Sequence, residues 1–546
     1  MKVTTLLGTL GLTSVALAAG AQQKQQKSQA RQQEARPNFI VILVDDMGYS
    51  DLGCFGSEIS TPNLDKIASQ GMRFEQFYSN PRSCPTRASL MTGMYPTNAG
   101  VGAMSMDMKI PEYQGYLRTD CVTMGEAMRS NGYSTFLSGK WHLGSKKGQW
   151  PYDRGFDRSY VFLEGATDYF SPGDMAVDNQ SINITDPDFY LTNAISDNAV
   201  KFIRERDDKP FFMYVAFNAP HWPLQAPKAD YEKYLDVYAA GWDVIRQKRY
   251  EKQLAIGAIP PDTKLSERNE NVPAWNTLKE PERKDWAFRM ALYAAMVDIM
   301  DRGVGRIVEQ LGRDGILDNT VIMFMSDNGA CSTEGRNTRK IEGAKPGEKG
   351  SAVGYNPPWA NVSATPFRYF KKDTFEGGIH VPFIVRYPKM VPAGTNNYVP
   401  AHVIDVLPTI IDLCGGTAPD TYSGRKVNPM NGVSMRSVMG GGTAPIHDKL
   451  CWEHYGNCAI RKGDWKLVHK DSFKKDVWEL YNIKQDPTEL NNLAAGNPKL
   501  VEELLADYNQ WAKDTKVLST EEFNRVQKEI QSGKGGKDGK DGKGKK

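Results

Sequence analysis

Four short apolar runs in this chain end in charged or imidazole side chains, and this pattern limits the folds open to it. "NFIVILVDD" ends at Asp45 and Asp46, and "YSTFLSGKWHLG" runs into Lys140 and His142. "PFFMYVAFNAPH" runs into His221, and "NTVIMFMSDNG" runs into Asp327 and Asn328. Continuous apolar runs of this length predict strands buried on both faces of a mostly parallel sheet. Helical patterns lie between them, at Leu64 to Gln70, Met124 to Asn131 and Trp286 to Leu311. The alternation predicts an α/β fold, with a large, mostly parallel sheet flanked by helices. In such sheets the carboxyl ends of the strands form the ligand crevice, where all four polar groups fall.

From about His447 the pattern changes. "CAIRKGDWKLVHK" and "VWELYNIKQDPTELNNLA" read as antiparallel strands, with a helix near Pro498 to Ala512. We expect a catalytic domain over 37–446 and a smaller α+β subdomain over 447–530. Residues 1–21 read as a cleavable signal peptide, with one Lys, an apolar run and the small residues Ala19 to Ala21. Residues 22–36 read as a disordered Gln-rich leader, and 531–546 as a disordered Gly/Lys tail. The expected location is periplasmic or secreted, with no membrane span.

The net charge is +3. Setting aside Lys2 and the tail, which carries +4, leaves a body near −2, against nucleic-acid binding. The seven Cys are scattered and form no disulfide framework or zinc spacing. Cys451 and Cys458 are close enough in sequence to bridge a hairpin, a pairing that sequence does not settle.

Asp45, Asp46, Asp327 and Asn328 are hard oxygen donors, which suit Ca2+ or Mg2+ rather than zinc. Residues 82 to 93, "RSCPTRASLMTG", place Pro85 in the first turn of a helix. Ser83 then lies at the helix N-terminus, where free N–H groups favour an anion. The same placement also fits a simple Ser cap.

These residues resemble the type I sulfatases of the alkaline-phosphatase-like superfamily. The signature [Ser/Cys]-x-Pro-x-Arg-x-x-x-x-Thr-Gly is matched by Ser83, Pro85, Arg87, Thr92 and Gly93. "VDDMGYSDLG", "GKWHLG", "APHWP", "SDNG" and "KKDTFEGGIHVPF" look like the family's other blocks, in the family's order. The likeness covers roughly residues 37 to 513. Cys84 fails the register, because the residues two and four places after it are Thr86 and Ala88.

The resemblance implies that Ser83 is oxidised to formylglycine by an anaerobic radical-SAM maturing enzyme. It implies a cation, Ca2+ ahead of Mg2+, held by Asp45, Asp46, Asp327, Asn328 and residue 83. Arg87, Lys140 and Lys371 would stabilise charge on the sulfate. Lys371, not Lys372, stands five residues before Glu376, as in the family. His221 would act as general acid, and His142 as the base that releases sulfate. The implied substrate is a sulfated carbohydrate. The alternatives are an aryl sulfate, a phosphate or phosphonate ester, or non-catalytic glycan binding with Ser83 unmodified. Candidate substrate contacts are Trp222, His380, Arg368, Trp452 and His454, with Trp359 in an insert expected to shape the pocket wall.

Overall fold

Strand β1 (Asn38–Val44) is buried along its whole length. Its side chains alternate between two cores, because successive strand residues point to opposite faces. Ile40, Ile42 and Val44 enter one core and Phe39, Val41 and Leu43 the other. Each such aliphatic or aromatic side chain contributes about 1.5–3 kcal/mol when fully buried. This is why the run is apolar without alternation. In this computed structural model residues 36–532 are described, apart from 338, 473, 475 and 476. The expected signal peptide, the leader up to 35 and the tail from 533 lie outside the described residues.

The other strands of the main sheet, in chain order, are β2 (Met72–Phe74), β3 (Ser134–Lys140), β4 (Arg158–Phe162) and β5 (Met175–Val177). They continue with β6 (Gln180–Ile182), β7 (Phe211–Ala216), β8 (Thr320–Ser326), β9 (Phe383–Arg386) and β10 (Thr395–Asn397). Their spatial order is β10-β2-β9-β8-β1-β7-β3-β4-β5-β6. The five central strands, β8 to β4 in that order, are parallel. Antiparallel pairs begin at β9 on one side and β5 on the other. The sheet is therefore mixed and mostly parallel at its centre, as the four apolar runs predict.

Helices cover both faces. α1 (Pro62–Ser69), α4 (Leu191–Arg204) and α5 (Glu280–Arg313) pack in the first core. α2 (Ser83–Thr92) and α3 (Met124–Ser130) pack in the second. α5 is longer than its apolar centre suggests, because Pro281 sits in its first turn and Glu282 closes back on Lys279.

The C-terminal sheet is fully antiparallel, with strands β11 (Lys449–His454), β12 (Asn457–Lys462), β13 (Trp465–His469) and β14 (Glu479–Asn482). One face packs through Leu450, Trp452 and Val468 on Tyr78, Phe375 and Ile379 of the main body. The other lies under α6 (Pro498–Asp514) through Cys451, Ile460, Leu467 and Leu504. A further helix, α7 (Thr520–Gln531), opens with a capping box of Ser519 and Glu522. It docks Phe523, Val526 and Ile530 on Met108 and Tyr113.

All seven cysteines are free thiols. Cys451 pairs across the ladder with Ile460, and Cys458 with Glu453, so the two thiols do not face each other in register.

Candidate active site

Strands β1 and β8 run parallel and end in register, with Val44 opposite Ser326. The next residues therefore emerge side by side. Asp46 turns into the left-handed region (φ 66°), which Asp tolerates better than most residues. Its N–H donates to Asp327 Oδ1 at 3.2 Å, and Asn328 Nδ2 donates to Asp46 Oδ1 at 2.7 Å. On the other side of β1, β7 leads to His221, and β3 ends at Lys140.

Ser83 is the first residue of α2. Its Oγ donates to Asp327 Oδ2 at 2.6 Å and accepts from Arg87 Nε at 3.0 Å. Arg87, one helical turn on, is fully buried. Its Nη2 pairs with Asp327 at 2.8 Å and lies 3.6 Å from Asp45, and Nη1 faces Tyr214 Oη at 3.5 Å. Lys140 Nζ pairs with Asp45 and donates to the Gly165 carbonyl. Lys371 Nζ pairs with Asp46. Three buried carboxylates thus face three buried cations.

The electrostatics follow from that packing. Burial pushes the Asp46 carboxyl up, but Lys371 and His221 together outweigh it and hold the group well below the usual carboxylate range. Asp327 moves the other way, raised by burial and then by the neighbouring Asp45 charge. Burial lowers Lys140, and it lowers His142 well below the ordinary imidazole value, with Lys140 and Arg87 adding to the effect.

Three oxygens in this centre make no hydrogen bond: Asp45 Oδ1, Asp46 Oδ2 and Asn328 Oδ1. Buried, unpaired oxygens from three residues of two adjacent strand ends fit a hard divalent cation. Asp45, Asp46 and His221 bring ligand atoms within 4.8 Å of one another. Both Asp327 oxygens already accept protein hydrogen bonds: Oδ2 takes two, and Oδ1 takes one and keeps a lone pair.

His221 Nδ1 lies 2.6 Å from the Trp222 carbonyl. A carbonyl only accepts, so Nδ1 carries the proton and Nε2 presents a lone pair, 3.4 Å from Asp46 Oδ2. Burial lowers the ring to about 3, despite the Asp46 charge. In this state the His221 ring is neutral, with Nε2 as its acceptor atom. The Trp222 ring lies 4.4 Å from it, tilted by 42°, with an unpaired indole N–H. His142 lies in the same field of charge, and its buried Nδ1 is unpaired. His454 is also buried, with both ring nitrogens unpaired.

Three candidate substrate contacts are structural instead. His380 uses both nitrogens inside the protein, on Glu376 at 2.9 Å and on the Glu75 carbonyl at 2.7 Å, and stacks on Phe367. The Trp452 indole donates to the Ser79 carbonyl at 2.9 Å and is buried between sheet and main body. Arg368 is bound by the Glu489 carbonyl and the Tyr369 hydroxyl. Trp359 of the insert forms no pocket wall. It is fully buried among Tyr238, Trp242 and Trp275, where the core needed a large apolar group.

Sequence reasoning missed Tyr214, a strand residue whose hydroxyl abuts Arg87. It did not single out Arg82, next to Ser83, and it set Lys372 aside in favour of Lys371. Adjacency to those two residues was the available signal.

Comparison with known proteins agrees with this geometry. The family model described as Sulfatase matches residues 37–416. A second, N-sulphoglucosamine sulphohydrolase, C-terminal, matches 366–511. The chain is 36% identical to an arylsulfatase of Klebsiella aerogenes, over 78% of this chain and 95% of that protein. It is 27% identical to an N-acetylglucosamine-6-O-sulfatase of Bacteroides thetaiotaomicron, over 90% and 87%. The crystal structure of Ps i-CgsB in complex with k-i-k-neocarrahexaose superposes with TM-score 0.64 at 28% identity, covering 88% of this chain and 93% of that one. With the motif residues gathered in one buried centre and the family match spanning most of its length, the chain belongs to the sulfatase family.

Proposed function

We propose that this sulfuric ester hydrolase removes sulfate from a sulfated carbohydrate, using residue 83 as the matured nucleophile and a divalent cation. The observation that carries the reading is Ser83 Oγ, held between Arg87 and Asp327 in a centre where Lys140 and Lys371 pair with Asp45 and Asp46. The likeness to a hexosamine sulfatase and to an oligosaccharide complex supports the carbohydrate class. The arylsulfatase likeness favours aryl sulfates as a second class.

Asp45, Asp46, Asp327 and Asn328 would hold the cation, Ca2+ ahead of Mg2+ because an all-oxygen site with a bulky carboxylate set suits the larger ion. Formylglycine at position 83 supplies a hydrated aldehyde as nucleophile, and the cation supplies Lewis-acid charge. Arg87 orients the oxygen on residue 83. Lys140 and Lys371 place positive charge where sulfate oxygens gain charge. His142, kept neutral by its surroundings, accepts a proton at Nδ1. An anionic ester beside His221 raises its proton affinity, since an opposite charge favours the protonated ring. His221 Nε2 then delivers a proton to the leaving oxygen.

An N-terminal export signal and a periplasmic or secreted location belong to the same reading. Among the described residues no helix is long and apolar enough to cross a membrane. Protein co-produced with an anaerobic radical-SAM maturing enzyme should release sulfate from members of a panel of monosulfated sugars. Its residue-83 peptide should be lighter by about 2 Da, the two hydrogens lost when alcohol becomes aldehyde. Matured protein that releases sulfate from no sugar in the panel sinks the proposal. An unmodified peptide with intact glycan binding favours the non-catalytic alternative.

A further inference from the structure

Arg82 precedes Ser83 and caps the start of α2, and Lys372 follows Lys371. The two segments are tied together, because the Lys372 N–H donates to the Pro81 carbonyl at 2.8 Å. Both basic residues therefore lie beside the reacting position. Among the described residues neither has an acidic hydrogen-bond or ion-pair partner. Arg82 Nε is buried and makes no hydrogen bond. The Lys372 ammonium has no hydrogen bond or ion pair to a described residue. The acid next to it in sequence, Asp373, is paired with Lys470 at 3.0 Å.

His454, at the end of β11, brings a third polar group from the C-terminal sheet. It is 1% exposed, yet neither ring nitrogen has a partner. Its ring packs on Tyr455 at 4.2 Å, and the Tyr455 hydroxyl accepts from Met104 N–H. The Trp452 indole donates to the carbonyl of Ser79, three residues before Arg82, and Thr374 Oγ1, two residues after Lys372, donates to the Cys458 carbonyl, so this end of the C-terminal sheet is tied to both segments. Burial, then the charges of Arg82, Lys372 and Lys371, hold the His454 ring well below its ordinary pKa. Burial and then Arg82 lower Lys372 as well.

A buried guanidinium nitrogen and two buried imidazole nitrogens without partners cost free energy unless a ligand joins them, and the exposed ammonium of Lys372 in the adjoining segment favours an anion there. The scissile sulfate is served by Arg87, Lys140 and Lys371, and these three are already paired with carboxylates. Among the described residues the outer group has no hydrogen-bonded or ion-paired acid, and Asp373, which acts on Lys372 only through its charge, is paired with Lys470.

We propose that Arg82, Lys372 and His454 form a second anion subsite. It would bind a further sulfate ester or carboxylate on the same sugar as the scissile sulfate or on the adjoining sugar. The substrate class is then a polyanionic saccharide rather than an isolated monosulfated one. This rests on the sulfatase reading for the location of the scissile group.

The test measures binding without turnover. Ser83→Ala protein is titrated calorimetrically with three ligands. These are a monosulfated hexosamine, its disulfated counterpart, and a disaccharide of the monosulfated hexosamine with a uronic acid. At least one dianionic ligand should bind about tenfold tighter than the monosulfated sugar, as expected for charge-assisted hydrogen bonds to a second anion. Preference for the disulfated sugar assigns the subsite to sulfate, and preference for the uronate assigns it to carboxylate. Arg82→Gln and the exposed Lys372→Gln, each added to that background, should reduce the ratio to less than about threefold. Equal affinity for all three ligands overturns the proposal without reference to any variant. So does a preference that survives both substitutions. If the wild-type protein releases no sulfate but the binding preference holds, the sulfatase reading fails and the subsite stands.

Discussion

Ser83 Oγ donates to Asp327 Oδ2 at 2.6 Å across 244 positions of chain, and the same carboxylate oxygen accepts from Arg87. The oxygen of the proposed nucleophile is thus fixed by the carboxylate at the end of β8 and by its own helix. Ser83→Ala should lower sulfate release on the order of 10³-fold or more, as when an enzyme loses its nucleophile. Initial rates on an aryl sulfate measure it, and a variant within tenfold of wild type removes Ser83 from the chemistry.

The three unpaired oxygens of Asp45, Asp46 and Asn328 make the fold itself sensitive to a cation. Ligand present at a hundred times its dissociation constant stabilises a protein by about 2.7 kcal/mol. Chelation should lower the melting temperature by several degrees, and Ca2+ should restore it. A melting temperature that ignores both chelator and Ca2+ rules out a resident ion here.

His221 is neutral, and its Nε2 presents a lone pair. As the acid it matters most when the leaving group is a poor one, so an alkyl sugar oxygen depends on it more than a phenolate does. His221→Ala should cost sugar sulfates about 10²-fold or more and aryl sulfates much less. Equal losses on the two substrate classes would count against the acid role.

Lys466 is fully buried between Glu376 at 2.7 Å and Glu489 at 2.8 Å, tying β13 to the main body. Lys466→Met leaves two carboxylates buried without their cation. Breaking such a pair costs about 3–5 kcal/mol. Urea unfolding should show a loss of this size, and a loss below about 1 kcal/mol would mean that the acids find other partners.

Glu75 is buried, accepts from Tyr49 Oη at 2.9 Å, and is raised by burial to about 7. Its folded pKa lies above the unfolded value. Its stabilising contribution is therefore complete below about 4.5 and is lost as pH rises through about 7. Wild-type stability should carry a downward component across that window, on the order of 1–3 kcal/mol. Glu75→Gln should remove it, as read from melting curves between pH 5 and 8. An unchanged slope in the variant assigns the dependence to other groups.

Much of the centre was legible in the chain. Apolar runs long enough for buried strands, each ending in a charged group or leading to one, imply a sheet with a polar edge. Pro85 and Arg87 settle the register on Ser83 rather than Cys84. Both signals are local: strand burial is written in consecutive residues, and a helical turn relates Ser83 to Arg87 without help from the rest of the fold.

Other roles were decided only by packing. His380, Trp452 and Arg368 look like substrate contacts in sequence, yet each spends its polar atoms inside the protein. Trp359 stands in a polar-looking insert and fills a tryptophan cluster. Arg82, Lys372 and His454 share no local pattern, because the main body joins the first two segments and the C-terminal sheet brings the third when it docks. The amino-acid sequence by itself determined the strand edge, the donor chemistry and the match of Ser83 to the family signature. The tertiary structure decided which polar groups find partners and which stay open to a ligand, since satisfying a buried group depends on neighbours hundreds of residues away.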